Sequence, residues 1–367
     1  MHETNHLREI VGNFINQQTY LEIKPRGKGH INDSYRVKAG DDEYVLQRIN
    51  HDIFKNVAEL QNNIMRVTMH IRQKLSDAGV LDIDRKVLTL VPTKEGKLFY
   101  QDEDDNYWRM MDFIKDSKSF EEINPELARR AGLAFGDFQK MLADLPNGPL
   151  FETIPNFHNI ESRLDTFRQS VRANRVGRVL EVNDLINEIE DRADDMCKAE
   201  RMHREGKLVK RTNHCDTKVN NILFDNDGNV LCVVDLDTVM PGYVLSDFGD
   251  FIRTGANKGA EDDKDLNNVE LDLDIFEAYT KGYLENAASF LTDVEIENLA
   301  FGAKLLTYMQ TVRFLTDYID GDAYYKIAYG NHNLIRSKAQ FKFLQSLEDN
   351  FDKMQEIVLS AAEEYKA

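Results

Sequence analysis

Three oxygen-bearing side chains occur at a spacing that suits phosphoryl transfer. Asp216 lies in a polar loop, Asn221 follows it by five residues, and Asp235 ends the apolar run Val230–Val234. The Asp225–Gly228 segment predicts a hairpin turn, which returns Asp235 to the end where Asn221 stands. An Asn carbonyl and a carboxylate suit Mg²⁺, which takes few protein ligands and prefers phosphate oxygens. Asp216 is then left to accept the proton of a hydroxyl nucleophile.

A second aspartate complicates the assignment of the metal ligand. Asp235 and Asp237 stand two residues apart in a segment predicted to be extended, so both side chains are expected on one face. We assign Asp235 as the ligand because it directly ends the apolar run, and Asp237 as a structural partner. The pattern that starts at His214, His-x-Asp-x-x-x-x-Asn, is weak by itself, and the alternative is an N-capping loop with ordinary surface acids.

Two glycines near the start of the chain suggest a phosphate-binding loop. Gly27 and Gly29 would let the backbone approach a ligand closely and direct N–H groups at phosphates. A Gly-x-Gly pair alone is usually a hairpin turn. Its position ahead of the Asp216 loop instead indicates a loop that covers a nucleotide and continues into Ile31 and Asn32. His30 in this loop either contacts an acceptor or makes a structural hydrogen bond.

The predicted elements that must position these residues change in type along the chain. Up to about residue 115 the sequence is strand-rich with one long helix, and from about residue 124 it is helical apart from one hairpin. The predicted strands are Ile31–Val37, Glu43–Ile49, Val87–Pro92, Leu98–Asp102, Tyr107–Ile114, Asn221–Phe224 and Val230–Asp235. The predicted helices are Asn56–Gly79, Glu126–Leu142, Leu164–Val176, Leu180–His203, Ile275–Leu284, Val294–Tyr318 and Asn333–Glu364.

Composition excludes several classes of protein. The 367 residues carry 46 Lys+Arg against 64 Asp+Glu, a net charge of −18, which disfavours nucleic acid and anionic membranes as partners. No window is apolar for long enough to span a bilayer, and the first twenty residues lack the pattern of a signal peptide. Three cysteines are too few for a disulfide framework. We therefore expect a cytoplasmic protein.

Taken together, these segments resemble the aminoglycoside phosphotransferase and choline kinase group, and within it the N-acetylhexosamine 1-kinases. The resemblance runs from residue 23 to about 340. The segments that carry it are Gly29–Asn32, Tyr44–Asn50, Phe135–Gln139, Asp216–Leu223, Asp235–Gly242, Asp247–Asp250 and Arg313–Asp322. It implies an α+β, bilobal protein-kinase-like fold. The N-terminal nucleotide-binding lobe, 1–115, would hold an antiparallel sheet with one helix, and 116–367 would form a larger, mainly helical catalytic and substrate lobe.

The resemblance also implies an activity and roles for residues. The expected reaction transfers the γ-phosphate of ATP, as its Mg²⁺ complex, to the anomeric hydroxyl of GlcNAc or GalNAc. Its expected partners are therefore a nucleotide and a small sugar. Asp216 would be the base, and Asn221 and Asp235 would bind the metal. The positions expected to give structural support are His214, Asp237 and Asp247. Those expected to bind the nucleotide are Gly27, Gly29, Ile31, Asn32, Gln47, Met111, Phe113 and Lys218. Those expected to bind the sugar are His30, Arg313 and Tyr324.

The chain departs from the protein kinases at the lysine of the third strand, where Gln47 stands with Arg48 beside it. The negative charge of the phosphates would then be neutralised by the metal, by Arg48 or by Lys218. The alternative for Lys218 is a solvated residue of the loop. Arg313 has the alternative of a salt bridge with Asp317, one turn on. Two other functions stay open: a kinase of choline, homoserine or an aminoglycoside, and a non-catalytic nucleotide-binding regulator.

Overall fold

The computed structural model describes residues 2–16, 21–26 and 31–366. These residues form two compact units. The first, here called the sheet unit, comprises residues 1–119, 144–155 and 222–240, and the second, the helical unit, comprises residues 120–143, 156–221 and 241–367. No helix within the described ranges is long and apolar enough to cross a membrane.

The N-terminal part of the sheet unit is an antiparallel sheet with two helices. Its elements are α1 (His2–Phe14), β1 (Leu21–Pro25), β2 (Asp33–Ala39), β3 (Asp42–Ile49), α2 (Val57–Asp77), β4 (Leu90–Val91), β5 (Tyr100–Gln101) and β6 (Tyr107–Asp112). The strand order is β1-β2-β3-β6-β4, and β5 also pairs with β6. α2 begins after Asn56, whose side chain accepts a hydrogen bond from the Glu59 N–H and so caps the first turn.

The sequence patterns did not predict α1, although it closes the core of the sheet. Leu7, Ile10, Val11 and Phe14 recur at spacings of three and four residues and are all buried. They pack with buried side chains of the strands, namely Val37, Leu46, Trp108 and Met110. The apolar stripe of α1 is therefore present in the sequence at helical spacing.

The rest of the chain is mainly helical. Its elements are α3 (Pro125–Leu142), α4 (Ile160–Ala173), α5 (Asn183–Met196), α6 (Lys198–Arg204), β7 (Arg211–Asn213), β8 (Ile222–Phe224), β9 (Val230–Val233), β10 (Met240–Gly242), α7 (Val244–Gly255), α8 (Leu273–Ala287), α9 (Asp293–Glu297), α10 (Leu299–Asp320), α11 (His332–Asp349) and α12 (Phe351–Lys366). β8 and β9 form the predicted hairpin.

Three of the long predicted helices are interrupted, so their predicted continuity is wrong. The breaks lie at Cys197, Asn298 and Asn350. At two of them an asparagine amide bonds to a carbonyl one turn back: Asn298 Nδ2 donates to Val294 O at 2.7 Å, and Asn350 Nδ2 donates to Ser346 O at 2.8 Å. The asparagine side chain competes in this way with backbone N–H groups for the carbonyls of the helix. The spacing of apolar residues does not reveal such a break.

Glycines bring α3 and α8 into backbone contact. A Cβ added at Gly132 would collide with Tyr279 O, and one added at Gly282 would collide with Arg129 O. This approach matters for the site because Gln139 of α3 and Tyr283 of α8 then meet, with the tyrosine hydroxyl donating to the amide oxygen.

The Gly282→Ala substitution should therefore destabilise the protein. The added methyl meets backbone, which cannot turn aside as a side chain can, and overpacking of this kind typically costs about 1–3 kcal/mol. The matched control is Gly12→Ala in α1, where an added Cβ meets nothing within 4 Å and helix propensity favours alanine by up to about 1 kcal/mol. Denaturant midpoints measure both variants, and equal stability of the two would refute the close approach.

Candidate active site

The His214–Asn221 loop is held by the carboxylate of Asp247, in the first turn of α7. Asp247 accepts hydrogen bonds from the backbone N–H of His214 at 2.7 Å and of Cys215 at 2.8 Å. Gln139 Nε2 donates to the same carboxylate at 2.7 Å, which connects the loop to α3. Burial raises the pKa of Asp247 more than these donors and His214 lower it. The structure thus places Asp247 at the base of the loop.

A second set of bonds fixes the middle of the same loop. The Thr217 N–H donates to Asp250 at 3.0 Å, and the Thr217 hydroxyl donates to the carbonyl of Asp247 at 2.6 Å. Cys215 adopts a left-handed backbone conformation with φ 63°. The side chain of His214 is fully buried, and its Nδ1 accepts a weak bond from the Asp216 N–H at 3.3 Å. These contacts bury His214, Cys215 and Thr217, while the Asp216 side chain stays partly exposed.

The Asp216 carboxylate lies between an ammonium group and an amide. Lys218 Nζ is 2.8 Å from Oδ1, and Asn221 Nδ2 donates to Oδ2 at 3.0 Å and to the Asp216 carbonyl at 2.8 Å. Asp216 keeps 28% of its side-chain surface exposed. Burial raises its pKa, but Lys218, His214 and the Asn221 amide outweigh that effect, so the pKa of Asp216 lies below its usual range. Asp216 is therefore a carboxylate at neutral pH.

Removing the ammonium should move this titration. In Lys218→Met the burial that raises the pKa of Asp216 remains while its strongest opposing charge is gone, so the pKa of Asp216 is expected to rise. The ¹³C carboxyl titration of labelled Asp216 measures it, and Lys218→Arg is the control that keeps the charge. An unchanged pKa in Lys218→Met would show that Lys218 does not hold the carboxylate ionised.

The proposed metal ligands offer the donors that Mg²⁺ prefers. Because Asn221 uses its NH₂ group on Asp216, its Oδ1 is directed elsewhere. The pairing of Ile222 with Val233 brings the positions after β9 to the end of the hairpin where β8 begins. Within the described residues no group of three or more His, Cys, Asp or Glu side chains could hold a metal; Mg²⁺ needs fewer, since it also keeps waters and phosphate oxygens. An amide oxygen and the Asp235 carboxylate thus fit this ion.

The prediction that Asp235 and Asp237 share one face of an extended segment is wrong. Asp235 is left-handed, with φ 60° and ψ 57°, and Leu236–Thr238 forms a 3₁₀ turn. The alternation of an extended strand therefore does not apply. Asp237 instead is buried and accepts hydrogen bonds from Arg109, whose Nη2 lies at 2.9 Å, and from the Asn32 amide at 2.6 Å. Both partners belong to the sheet unit, as Asp237 does.

Arg109 is a residue that the sequence interpretation missed. It is 2% exposed in the middle of β6, and it bonds Asp237 on one side and Gln47 on the other. Its Nε and Nη2 donate to Gln47 Oε1 at 2.9 and 2.8 Å, while Gln47 Nε2 donates to Ser34 at 2.8 Å. The side-chain amides of Gln47 and Asn32 therefore form hydrogen bonds within this network. An arginine within the otherwise buried run of β6 was the signal available in the sequence.

The other residues predicted to bind the nucleotide lie apart from this network. Ile31 is 39% exposed, and Met111 is buried in β6, paired with Val45. The ring of Phe113 carries the guanidinium of Arg36 at 4.4 Å and that of Arg26 at 5.1 Å. Arg48, the proposed carrier of phosphate charge, is engaged by Asp33. Gly27, Gly29 and His30 lie outside the described residues.

Arg313 and Tyr324 lie on either side of the end of α10. The alternative salt bridge between Arg313 and Asp317 is not formed, because Asp317 accepts instead from the backbone N–H groups of residues 323, 324 and 325, at 2.8–2.9 Å. Asn333 also donates to it at 2.8 Å. Asp317 thus fixes the segment that carries Tyr324, whose side chain is 60% exposed.

A further cluster was not predicted from the sequence. Arg313 stacks over the ring of Phe157 at 5.0 Å and over that of Tyr325 at 5.7 Å. Arg163 donates to the Phe157 carbonyl at 2.9 Å through Nη2. His158 stacks on Phe157, with ring centroids 4.6 Å apart. We call His158, Arg163 and Arg313, with these two aromatic rings, the arginine–histidine cluster. About 150 residues separate its two parts, so no local pattern could reveal it.

Comparison with known proteins adds two findings. Residues 22–283 match the phosphotransferase enzyme family (APH). The structure is similar to an aminoglycoside phosphotransferase from Alicyclobacillus acidocaldarius, at 11% identity, with 94% of this chain and 96% of that chain covered and a TM-score of 0.57. It is also similar to a choline kinase from Cryptosporidium parvum, at 11% identity, with 95% of this chain and 97% of that chain covered and a TM-score of 0.58. A third similar structure is an ethanolamine kinase from Plasmodium vivax, at 12% identity, with 90% of this chain and 84% of that chain covered and a TM-score of 0.56.

These likenesses confirm the predicted fold class. The antiparallel N-terminal sheet and the helical C-terminal part belong to the α+β, protein-kinase-like fold that these structures share. At 11–12% identity they carry the fold alone.

Proposed function

The chain belongs to the phosphotransferase enzyme family, and we propose that it transfers the γ-phosphoryl group of ATP to the anomeric hydroxyl of an N-acetylhexosamine, GlcNAc or GalNAc. The observation that carries the transfer step is the Asp216 carboxylate, held ionised between Lys218 and Asn221. The choice of sugar rests on the segments that resemble the N-acetylhexosamine 1-kinases, above all Arg313–Asp322.

Asp216 acts on the acceptor. Its ionised carboxylate accepts a hydrogen bond from the anomeric hydroxyl and aligns the oxygen for in-line attack on the γ-phosphorus. As the new oxygen–phosphorus bond forms, the bond from the γ-phosphorus to the bridging oxygen breaks, ADP leaves, and Asp216 receives the hydroxyl proton. A low pKa makes it a weak base, so it first orients the hydroxyl and takes the proton late in the transfer. The rigid His214–Asn221 loop suits this task because Asp247 and Asp250 fix its backbone.

Asn221 and Asp235 would hold Mg²⁺, which when bound supplies positive charge to the phosphate oxygens. Lys218 adds a further positive charge beside Asp216 and is proposed to meet the γ-phosphate. In the N-terminal region we propose the loop with Gly27 and Gly29, together with Ile31, Met111 and Phe113, as contacts of the nucleotide. We assign Asn32 and Gln47 to shaping that region, since their amides are engaged with Asp237, Ser34 and Arg109.

A panel of acceptors with ATP and Mg²⁺ tests the proposal. GlcNAc, GalNAc, choline, homoserine and an aminoglycoside are each offered to the enzyme, and release of ADP is followed. We expect the two N-acetylhexosamines to give the highest kcat/KM, by about tenfold or more over the others. Turnover restricted to choline or to the aminoglycoside would replace the sugar with a cationic acceptor. Nucleotide binding without turnover of any acceptor would indicate the non-catalytic regulator.

A further inference from the structure

The arginine–histidine cluster carries positive charge that no carboxylate neutralises. Within the described part of the chain, neither Arg163 nor Arg313 has an acidic side chain within salt-bridge distance. Arg163 donates to the Phe157 carbonyl, and Arg313 Nη1 donates to the amide oxygen of Gln310 at 3.2 Å. Both partners are neutral. The cluster therefore keeps two positive charges on partly buried guanidinium groups, and that of Arg313 lies over the rings of Phe157 and Tyr325.

Four acidic residues of the helical unit have partners other than Arg163 and Arg313. Asp250 and Glu261 both pair with Arg253, the first at 2.9 Å and the second at 2.5 Å. Asp216 pairs with Lys218 at 2.8 Å. Asp317 is occupied by backbone N–H groups. Within the described part of the chain, these carboxylates thus neutralise other cations or accept from backbone N–H groups, and none of them pairs with Arg163 or Arg313.

The histidine at the centre of the cluster stays neutral. Burial first, and then the charges of Arg313, Arg163 and Arg253, lower the pKa of His158 to about 3, against an opposing effect of Asp216. Its Nδ1 is buried without a hydrogen-bond partner. Burial and Arg313 likewise lower the pKa of Arg163, to about 10, while Tyr325 and Tyr324 raise it. His158 therefore interacts electrostatically with the Asp216 carboxylate and with the two guanidinium groups.

We propose that the arginine–histidine cluster is an acceptor subsite that excludes ammonium groups and takes neutral acceptors rich in hydroxyl and carbonyl oxygens. Guanidinium N–H groups donate to such oxygens, and two uncompensated positive charges repel a cation in a partly buried site. The proposal rests on the proposed function, because it places the acceptor beside Asp216. It gives this chain a different acceptor chemistry from the choline and ethanolamine kinases that share its fold.

Matched acceptors that differ in charge test the subsite. One pair is GlcNAc and glucosamine, and the other is 3,3-dimethylbutan-1-ol and choline, which have nearly the same shape. The wild-type enzyme should prefer the neutral member of each pair by about tenfold or more, in kcat/KM or as a competitive inhibitor. Raising the pH through the titration of the glucosamine amine should reduce its disadvantage, while GlcNAc shows no matching change. Asp216 stays ionised and Arg253 stays protonated through this pH range, so the change reports the titration of the substrate amine.

Variants assign the preference to the cluster. Arg163→Gln with Arg313→Gln should reduce the preference at least several-fold, whereas Arg313→Lys, which keeps the charge, should retain it. If the double variant does not fold, Arg313→Gln alone is compared with Arg313→Lys. A wild-type enzyme that binds choline or glucosamine as well as the neutral partner, or a preference that survives the loss of both charges, would overturn the proposal.

The same data separate the two proposals. Turnover of GlcNAc and glucosamine with equal efficiency would leave the sugar kinase standing and remove the subsite. Failure to phosphorylate either sugar, with dimethylbutanol still binding better than choline, would remove the sugar and leave the subsite.

Discussion

Replacement of Asp216 by Asn is expected to lower kcat by about three to four orders of magnitude and to leave the protein folded. An amide cannot receive the proton of the acceptor hydroxyl, and positioned acid–base groups contribute about 10²–10⁴-fold. The amide oxygen can still accept the bond from Asn221, so the His214–Asn221 loop keeps its anchors at Asp247 and Asp250. Initial rates at saturating acceptor and ATP measure the effect.

The control for Asp216→Asn is Asp227→Asn at the exposed tip of the hairpin, which changes the net charge equally. We expect wild-type rates from Asp227→Asn. Unfolding midpoints of both variants should lie close to wild type, since the ion pair with Lys218 is partly exposed and such pairs contribute little to stability. A wild-type rate from Asp216→Asn would remove the base from the proposed mechanism.

Arg109→Met should be the most destabilising substitution in the sheet unit, by about 3–5 kcal/mol. The side chains of Arg109 and Asp237 are 3% and 4% exposed, so methionine would leave a buried carboxylate whose remaining side-chain partner among the described residues is the Asn32 amide. Gln47 would lose both donors to its oxygen at the same time. Denaturant unfolding followed by far-UV circular dichroism measures the loss.

The double variant Arg109→Met with Asp237→Leu distinguishes a lost charge partner from lost packing. Replacing both members of a buried pair by apolar residues is often near neutral, so more than half of the lost stability should return. A double variant as unstable as the single one would show that packing, and not the unpaired Asp237, dominates. Because Asp237 lies two residues after Asp235, Arg109→Met should also raise the Mg²⁺ concentration needed for half-maximal rate.

The features that the sequence predicted correctly are set by residues close together in the chain. The hairpin of β8 and β9 follows from the Asp–Asn–Asp–Gly turn, and α2 follows from its apolar spacing and its cap at Asn56. The order of these elements also sufficed to indicate the kinase-like fold. Such signals are local because turn geometry and helix periodicity act over a few residues.

The features that the sequence did not predict depend on backbone strain or on distant partners. Asp235 adopts a left-handed conformation that no pattern of apolar residues reveals, and so the side chain of Asp237 turns to Arg109, 128 residues away. Likewise Arg313 was identified from one segment, whereas its neighbours His158 and Arg163 come from a region that no motif marked. Sequence could therefore suggest individual residues but not the charge of their surroundings.

The most direct test is to identify the bond that forms when the enzyme is given ATP, Mg²⁺ and GlcNAc. Proton–phosphorus correlation NMR of the product reports which carbon carries the new phosphate ester. We predict a phosphorus resonance coupled to the anomeric proton, with one ADP formed for each sugar phosphate. Phosphate on any other sugar hydroxyl, or ADP formed without a sugar phosphate, would contradict a sugar 1-kinase.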